Sequence, residues 1–521
     1  MAWFLEIFGL RWYFVLAARM DSCCRPFLAD GFVRPSLAGQ RDEAREGFVM
    51  TSVTSRVVGG NCRFHLVAEP FLDDPGLPFA QVLPAEAIER TFAAHQGLFG
   101  QNDDEVFSTP IVLWAFLAQV LRDGKGAACA AAVADIATYR QQIGGPVPCG
   151  DTGDYCRARA KLSLPALREL VARAAEGLEQ QAEPSWLWHG LHAKLVDGFT
   201  FTMADTPANQ RKFPQVRTQK PGVGLPIARA CAVLSLATAA IHDLAIGPYE
   251  GKETGESALL RTILESLKPG DVAVFDRYFG SYMMIALLQL RGVEVCVRLH
   301  QLRKFDFRRG QRLGEGDHLV TWTRPARPEW MPPEVYEQIP LTLTLRELRF
   351  QVVEPGRRTE TITVVTTLTD PKAYPKEDIA ALYGYRWNAE LDIRVIKRTL
   401  NLEHVPCKSP EMVRRHLWVT LLAYNLVRRL IAVAAALYDR QPRQLGFTLA
   451  CQTILSCWML LSTGQCRNAR EAWAAALRRI AANEVANRPG RIEPRVIKRR
   501  QQGYPWMTRP RRELRAQWLG R

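Results

Sequence analysis

Apolar positions change their period several times along this chain, and the changes divide it. From Ser108-Thr109-Pro110 the spacing is helical: a Thr N-cap with Pro at N1 opens a helix through Ile111–Arg122, which Asp123-Gly124 closes. Further helices are predicted over Ala127–Gln142, ending at Gly144-Gly145-Pro146, and from Ser163-Leu164-Pro165 to Gln180. At Lys194 the pattern becomes short and β-rich. Lys194–Thr202, Ile227–Thr238 and Ala239–Ile246 read as three strands, and Glu256–Leu267 as a helix ending at Lys268-Pro269-Gly270. Asp271–Phe275 then reads as a buried strand, Ser281–Leu290 as a helix and Glu294–Leu299 as a strand. That order makes an α/β layer, in which sites form at strand ends. Residues 301–360 interrupt it with an Arg-, Gly- and Pro-rich stretch that ends in alternating strands, Leu341–Val353 and Thr359–Thr367, around Pro355-Gly356. Helical spacing returns and persists over Pro410–Tyr438, Phe447–Leu461 and Asn468–Asn487. Residues 1–95 are weakly patterned.

Between these blocks lies Leu382–Lys397, with Leu382, Leu391, Val395, Ile396 and Leu400 at helical spacing. On one continuous helix, at roughly 100° per residue, Tyr383, Arg386, Glu390 and Lys397 fall within an arc of about 60°. One carboxylate would then sit among two cations and a phenol. An arbitrary helix with such a face is an ordinary solvated one, so the rest of the chain must decide.

Charge shifts the balance. Lys and Arg number 68 against 53 Asp and Glu, a net charge of +15, which favours a polyanionic partner. Much of the excess is one arm: from Arg488 to Arg521 there are eleven Lys or Arg and two acids. The loop Asp205–Gly224 adds Arg211, Lys212, Arg217 and Lys220, and Arg303, Lys304, Arg308, Arg309 and Arg312 interleave with Phe305 and Phe307 as in a nucleic-acid groove. The twelve cysteines form no short disulfide framework, which fits a reducing cytoplasm. Cys451, Cys457 and Cys466 read as core thiols, since no C-x-x-C or H-E-x-x-H accompanies them. Residues 2–18 are apolar except for Glu6 and Arg11, and no basic segment precedes them as in a signal peptide. A buried helix or an upstream start, with Met50 as the initiator, are both open, and no membrane partner is expected.

Asp197 lies inside the first predicted strand, Asp276 at the end of the fourth, and Glu390 on the late helix. Converging carboxylates repel one another unless cations neutralise them. Hard oxygen ligands select Mg²⁺ or Mn²⁺, and two such ions clamp an in-line phosphoryl displacement.

The spacing Tyr383-x2-Arg386-x3-Glu390-x6-Lys397 resembles the Y-R-E-K signature of DDE transposases of the insertion-sequence-4 family. Val196-Asp197-Gly198 resembles the family's first-aspartate segment and Phe275-Asp276-Arg277 its second. The gaps of 79 and 114 residues between the acids agree, and Asp205-Thr206-Pro207-Ala208-Asn209-Gln210 and Ala423-Tyr424-Asn425-Leu426 are similar to family segments. The resemblance covers roughly residues 100–515. It implies an α/β fold, an RNase H-like mixed-sheet catalytic core interrupted by an all-β insertion, with helical N- and C-terminal regions.

The expected organisation is an uncertain N-terminal region (1–95), a helical N-terminal DNA-binding domain (96–185), the first part of the core (190–300), the β-strand insertion (301–360), the final core strand with the Glu-bearing helix (361–400), a C-terminal helical region (401–487) and the basic arm (488–521). For 96–185, generic helical packing is favoured over a dedicated groove-reading helix. The resemblance further implies Asp197, Asp276 and Glu390 as catalytic ligands of two Mg²⁺ or Mn²⁺ ions. Tyr383, Arg386 and Lys397 would contact phosphates of the transposon end, and Trp322 would stack on a flipped base, with Trp330 as its competitor. Lys212 and Lys220 are further candidate DNA contacts. Asp205 is the rival first ligand, set aside because it begins a loop. The implied activity is cleavage at terminal inverted repeats and strand transfer into target DNA, by a homodimer on DNA in the cytoplasm at the nucleoid. The alternatives are an RNase H-like nuclease without strand transfer and a catalytically inactive, transposase-derived DNA-binding protein.

Overall fold

The computed structural model describes residues 83–519 apart from 103, 353–359, 463–468 and 486–506. The chain divides into units 1–55 and 56–521, and every described residue lies in the second. The readings for residues 2–18, Met50 and Cys466, and much of the basic arm, fall outside the described residues.

Five helices come first: α1 (Ala85–Ala94), α2 (Thr109–Val120), α3 (Cys129–Gln142), α4 (Gly153–Lys161) and α5 (Leu164–Gln180). Helix α2 starts one residue earlier than its Thr-Pro signal suggests, with Ser108 at the N-cap. Helices α1 and α4 escaped the pattern because they are short and α4 is strongly polar, Tyr155 and Ala158 being its buried residues.

The sheet then begins with β1 (His192–Met203), followed by the short helix α6 (Pro207–Lys212) within the loop expected there. Next come β2 (Ile227–Ser235), β3 (Ile241–Pro248), α7 (Glu256–Arg261), β4 (Asp271–Phe275), α8 (Tyr282–Leu290) and β5 (Glu294–Arg298). After them run β6 (Gln311–Gly314), β7 (Asp317–Thr323), α9 (Pro333–Gln338), β8 (Thr342–Val352) and β9 (Glu360–Thr366). The strands join in one sheet of order β3-β2-β1-β4-β5-β9-β8-β7-β6. Strands β2 and β3 run antiparallel to their neighbours, while β4 and β5 are parallel to β1.

The segment expected to be an all-β insertion is therefore not a separate β layer. Strand β9 pairs with β5 (Cys296↔Thr366), so β6 to β9 extend the same sheet. It also contains a helix, α9, started by Pro332-Pro333. Neither feature is visible from alternation alone, because an edge of β5 open to pairing is a tertiary fact.

Helices α10 (Lys376–Gly384) and α11 (Trp387–Arg398), a two-residue strand β10 (His404–Val405) beside β1, and α12 (Pro410–Leu437), α13 (Phe447–Ser462), α14 (Ala469–Ala482) and α15 (Arg511–Trp518) complete the chain. Alternation along β1 and β4 feeds two apolar clusters on opposite sides of the sheet. Leu195, Phe199, Val272 and Val274 join the cluster of α2, α5 and α12, while Val196, Ala273 and Phe275 join that of α7 and α8. Helix α12 is long and apolar enough to cross a membrane, but 89% of its apolar window is buried in the protein, where it is the central core helix.

Candidate active site

Strand register sets the site. Val196 pairs with Phe275 on the parallel neighbours β1 and β4, so Asp197 and Asp276 each follow one residue beyond the same rung. Each carboxylate also accepts a hydrogen bond from the next backbone N–H, Gly198 at 2.8 Å for Asp197 and Arg277 at 2.7 Å for Asp276. In Asp276 this contact caps the turn that ends β4.

The helix expected over Leu382–Lys397 is two helices. Between α10 and α11, Arg386 N–H donates to Tyr383 O, Asn388 to Tyr385 and Ala389 to Arg386, three-residue bonds that tighten and break the helical ladder. The single 60° arc is therefore corrected: it holds for Glu390 and Lys397 on α11 but not for Tyr383, which lies in the last turn of α10. Local periodicity missed the break because no Pro or polar run marks it.

Arg386, at the break, joins the two parts of the site. Its Nη1 lies 3.5 Å from Asp197 Oδ2 and its Nη2 donates to Glu390 Oε1 at 3.0 Å. Burial pushes the Asp197 carboxyl up to about 6. Gly198 N–H and Arg386 oppose that shift, and Glu390 and Glu256 add to it. Tyr383 is 6% exposed, and burial raises its phenol to about 12, so it stays protonated as a hydrogen-bond donor. Lys397, on the last turn of α11, is half-buried. It stands seven residues, roughly 10 Å along the axis, from Glu390.

Among the described residues, no three His, Cys, Asp or Glu side chains are gathered closely enough to hold a metal ion as they stand. The donor set is nonetheless all-oxygen, and Asp197 keeps an elevated pKa even with a guanidinium beside it. That is the electrostatic condition a hard divalent cation relieves.

The other candidates lie elsewhere. Asp205 accepts from Gln210 Nε2 at 2.9 Å, while Thr206 caps α6 and Asn209 is fully buried, its Nδ2 donating to Ala204 O and Cys407 O. Lys212 and Lys220 are exposed on the same loop. Trp322, on β7, is 5% exposed; its indole N–H donates to Glu347 at 3.1 Å, and the Arg303 guanidinium lies 3.5 Å from the ring centroid. It borders a cavity of about 720 Å³ with Arg303, Lys304, Phe305, Arg308 and Arg309. Trp330 is instead under Arg261, 3.9 Å from its centroid.

Sequence reasoning missed Glu256, whose carboxyl rests on the backbone of Gly198. The Asp-Gly pair on a strand was a usable signal, because a glycine there opens room for another group.

Comparison with known proteins points to a transposase domain. Residues 188–426, which hold all three acids, match the family model described as "Transposase DDE domain". The chain is 28% identical over 357 residues to the transposase InsG of insertion sequence element IS4 from Escherichia coli K12, covering 67% of this chain and 77% of that protein. Residues 188–426 therefore carry a DDE transposase domain, and the chain is similar to a transposase of the insertion-sequence-4 family. The transposase is also similar, at 8% identity and a TM-score of 0.37, to the piggyBac transposase in its synaptic complex with hairpin DNA, over 83% of this chain and 88% of that one. That likeness is too low to add to the assignment.

Proposed function

We propose that this transposase cleaves DNA at the terminal inverted repeats of its element and joins the freed 3′-hydroxyl to target DNA, with Asp197, Asp276 and Glu390 as ligands of two Mg²⁺ or Mn²⁺ ions. The observation that carries the reading is the meeting of Asp197 and Glu390 on Arg386, beside Asp276. The sheet order β3-β2-β1-β4-β5, antiparallel on one side of β1 and parallel on the other, supports an RNase H-like core.

When bound, the ions would polarise the scissile phosphate and activate the attacking hydroxyl. The chain's residues do the remaining work. Arg386 neutralises the acids before metal arrives and turns toward a phosphate oxygen afterwards. Tyr383 donates its retained proton to the DNA backbone, and Lys397, Lys212 and Lys220 supply charge along it. Trp322 stacks on a flipped base once Arg303 leaves its face. In this reading two copies act on paired ends, on the nucleoid in the cytoplasm.

The test is cleavage of a labelled duplex carrying the element's own ends, with Mg²⁺ or Mn²⁺, by wild type and Glu390→Gln. Metal-dependent nicking at the end, abolished by the substitution while DNA binding persists, is expected. Binding without cleavage by the wild type overturns the catalytic reading and leaves a DNA-binding derivative.

A further inference from the structure

Helices α3 and α4 meet at two thiols. Cys129 is the first residue of α3, Cys156 lies in the first turn of α4, and their Sγ atoms stand 3.7 Å apart. Three donors converge on the Cys129 sulfur: Arg159 Nη2 at 3.3 Å, the Cys156 S–H at 3.7 Å and Gln119 Nε2 at 3.8 Å. A neutral thiol is a weak acceptor. A sulfur that gathers three donors, one of them a guanidinium, has the surroundings of a thiolate, the form that reacts.

The guanidinium is fixed in this position. Arg159 Nη1 donates to Gln119 Oε1 at 3.1 Å, and its Cζ lies 4.7 Å from the Phe116 ring centroid and 5.0 Å from that of Tyr155. The Tyr155 hydroxyl donates to the same Gln119 oxygen at 3.0 Å, so Gln119 is held as well. The two sulfurs are not alike. Burial and the neighbouring Cys129 raise the Cys156 thiol, against the opposing Arg159, and Cys156 therefore keeps the proton it directs at Cys129. Both are free thiols that keep part of their surface in solvent.

We propose that Cys129 and Cys156 form a redox modification site, Cys129 the nucleophile and Cys156 the resolving thiol, which a hydroperoxide converts to a disulfide joining α3 to α4. The Cys129 thiolate attacks a peroxide oxygen: an S–O bond forms, the O–O bond breaks, and the leaving alkoxide or hydroxide takes up a proton. The Cys156 sulfur then displaces the oxygen of the Cys129 sulfenic acid, and its own proton leaves with that oxygen as water. Two electrons pass from the sulfurs to the peroxide, and a small dithiol reverses the change. The sulfurs already stand at van der Waals contact, and a bond of about 2.0 Å draws the two helices together. A reducing compartment, which dissolves structural disulfides, still permits transient pairs of this kind. The chemistry uses neither metal nor DNA, so it stands apart from the reading above.

The test is thiol chemistry on the reduced full-length protein, with the exposed Cys149 as internal standard. Limiting iodoacetamide, followed by peptide mass spectrometry, is expected to alkylate Cys129 about tenfold or more faster than Cys149, against the order of their exposure. Arg159→Gln, checked for wild-type thermal unfolding, is expected to bring the two rates together. Equimolar hydrogen peroxide is expected to yield a Cys129–Cys156 linked peptide that dithiothreitol releases. In Cys156→Ser it is expected to leave a sulfenic acid at Cys129 that dimedone traps. Cys149 reacting faster than Cys129 in the wild type overturns the activated thiolate. Peroxide that links neither sulfur, or that joins Cys129 to Cys407 instead, overturns the pairing.

Discussion

Arg386 Nη1 and Asp197 Oδ2 stand 3.5 Å apart although 189 residues separate them in the chain. The pair ties the break between α10 and α11 to the middle of β1, and the second arm of the same guanidinium holds Glu390. One cation therefore sets the spacing of two acids. Arg386→Gln should destabilise the protein in EDTA by about 1–3 kcal/mol, because two half-buried carboxylates lose their counter-charge. Excess Mn²⁺ should restore part of that loss. Thermal unfolding in EDTA and in Mn²⁺ measures both, and an unchanged midpoint in EDTA would remove Arg386 from this role.

The raised Asp197 carboxyl gives the metal-free protein a pH signature. Its pKa is about 6 when folded against an ordinary 3.8, so the native state holds this proton more tightly than the unfolded chain. The resulting stability is intact below about pH 4, is lost as pH rises from there to about 6, and stays lost above. Asp197→Asn should accordingly stabilise the metal-free protein at pH 8 by about 1–3 kcal/mol and leave it unchanged near pH 4. Denaturant titrations at the two pH values decide this; a destabilised Asn variant at pH 8 would contradict it.

Helix α11 is anchored on its hidden side by Asp392, two residues from Glu390. Its carboxylate takes Arg428 at 3.1 Å and Arg443 at 2.9 Å and is 4% exposed. Removing one member of a buried ion network leaves the others uncompensated, so Asp392→Ala should cost about 3–5 kcal/mol. Cleavage should fall further than folding alone explains, because Glu390 loses its fixed bearing. Urea unfolding beside single-turnover cleavage separates the two effects.

Asn425, on α12, accepts from Ile241 N–H at 2.9 Å and donates back to Ile241 O at 2.9 Å, with a further bond to Val171 O. It closes the backbone at the start of β3 as another strand would. Asn425→Leu should cost about 2–4 kcal/mol by leaving buried donors and acceptors unmatched, and hydrogen exchange at the Ile241 amide should speed up. Retained protection there would refute the role.

Lys304 borders the arginine-rich cavity next to Trp322. If that cavity meets DNA phosphates, Lys304→Ala should weaken binding across sequences and lower the slope of log Kd against log salt by about 1. An unchanged slope would take this cavity off the DNA path.

Much of the architecture was legible locally. The β-rich run at Lys194–Thr202 lies within β1, Asp271–Phe275 is β4 residue for residue, and the helix expected over Pro410–Tyr438 is α12 to within one residue. Period and capping act over a few residues, so a string of letters carries them. Short polar α4 and the i−3 bonds between α10 and α11 left no such trace.

The sequence by itself singled out the candidate residues: the acids at 197, 276 and 390, the tyrosine, arginine and lysine spaced around the last, and an excess of positive charge. Tertiary structure alone decided how they meet. It set Asp197 beside Asp276 through the β1–β4 register, turned Arg386 onto both Asp197 and Glu390, covered Trp322 with Arg303, and laid Glu256 on Gly198. Those relations span tens to hundreds of residues. They are fixed by sheet pairing and by which helix packs on which face, neither of which a local pattern encodes.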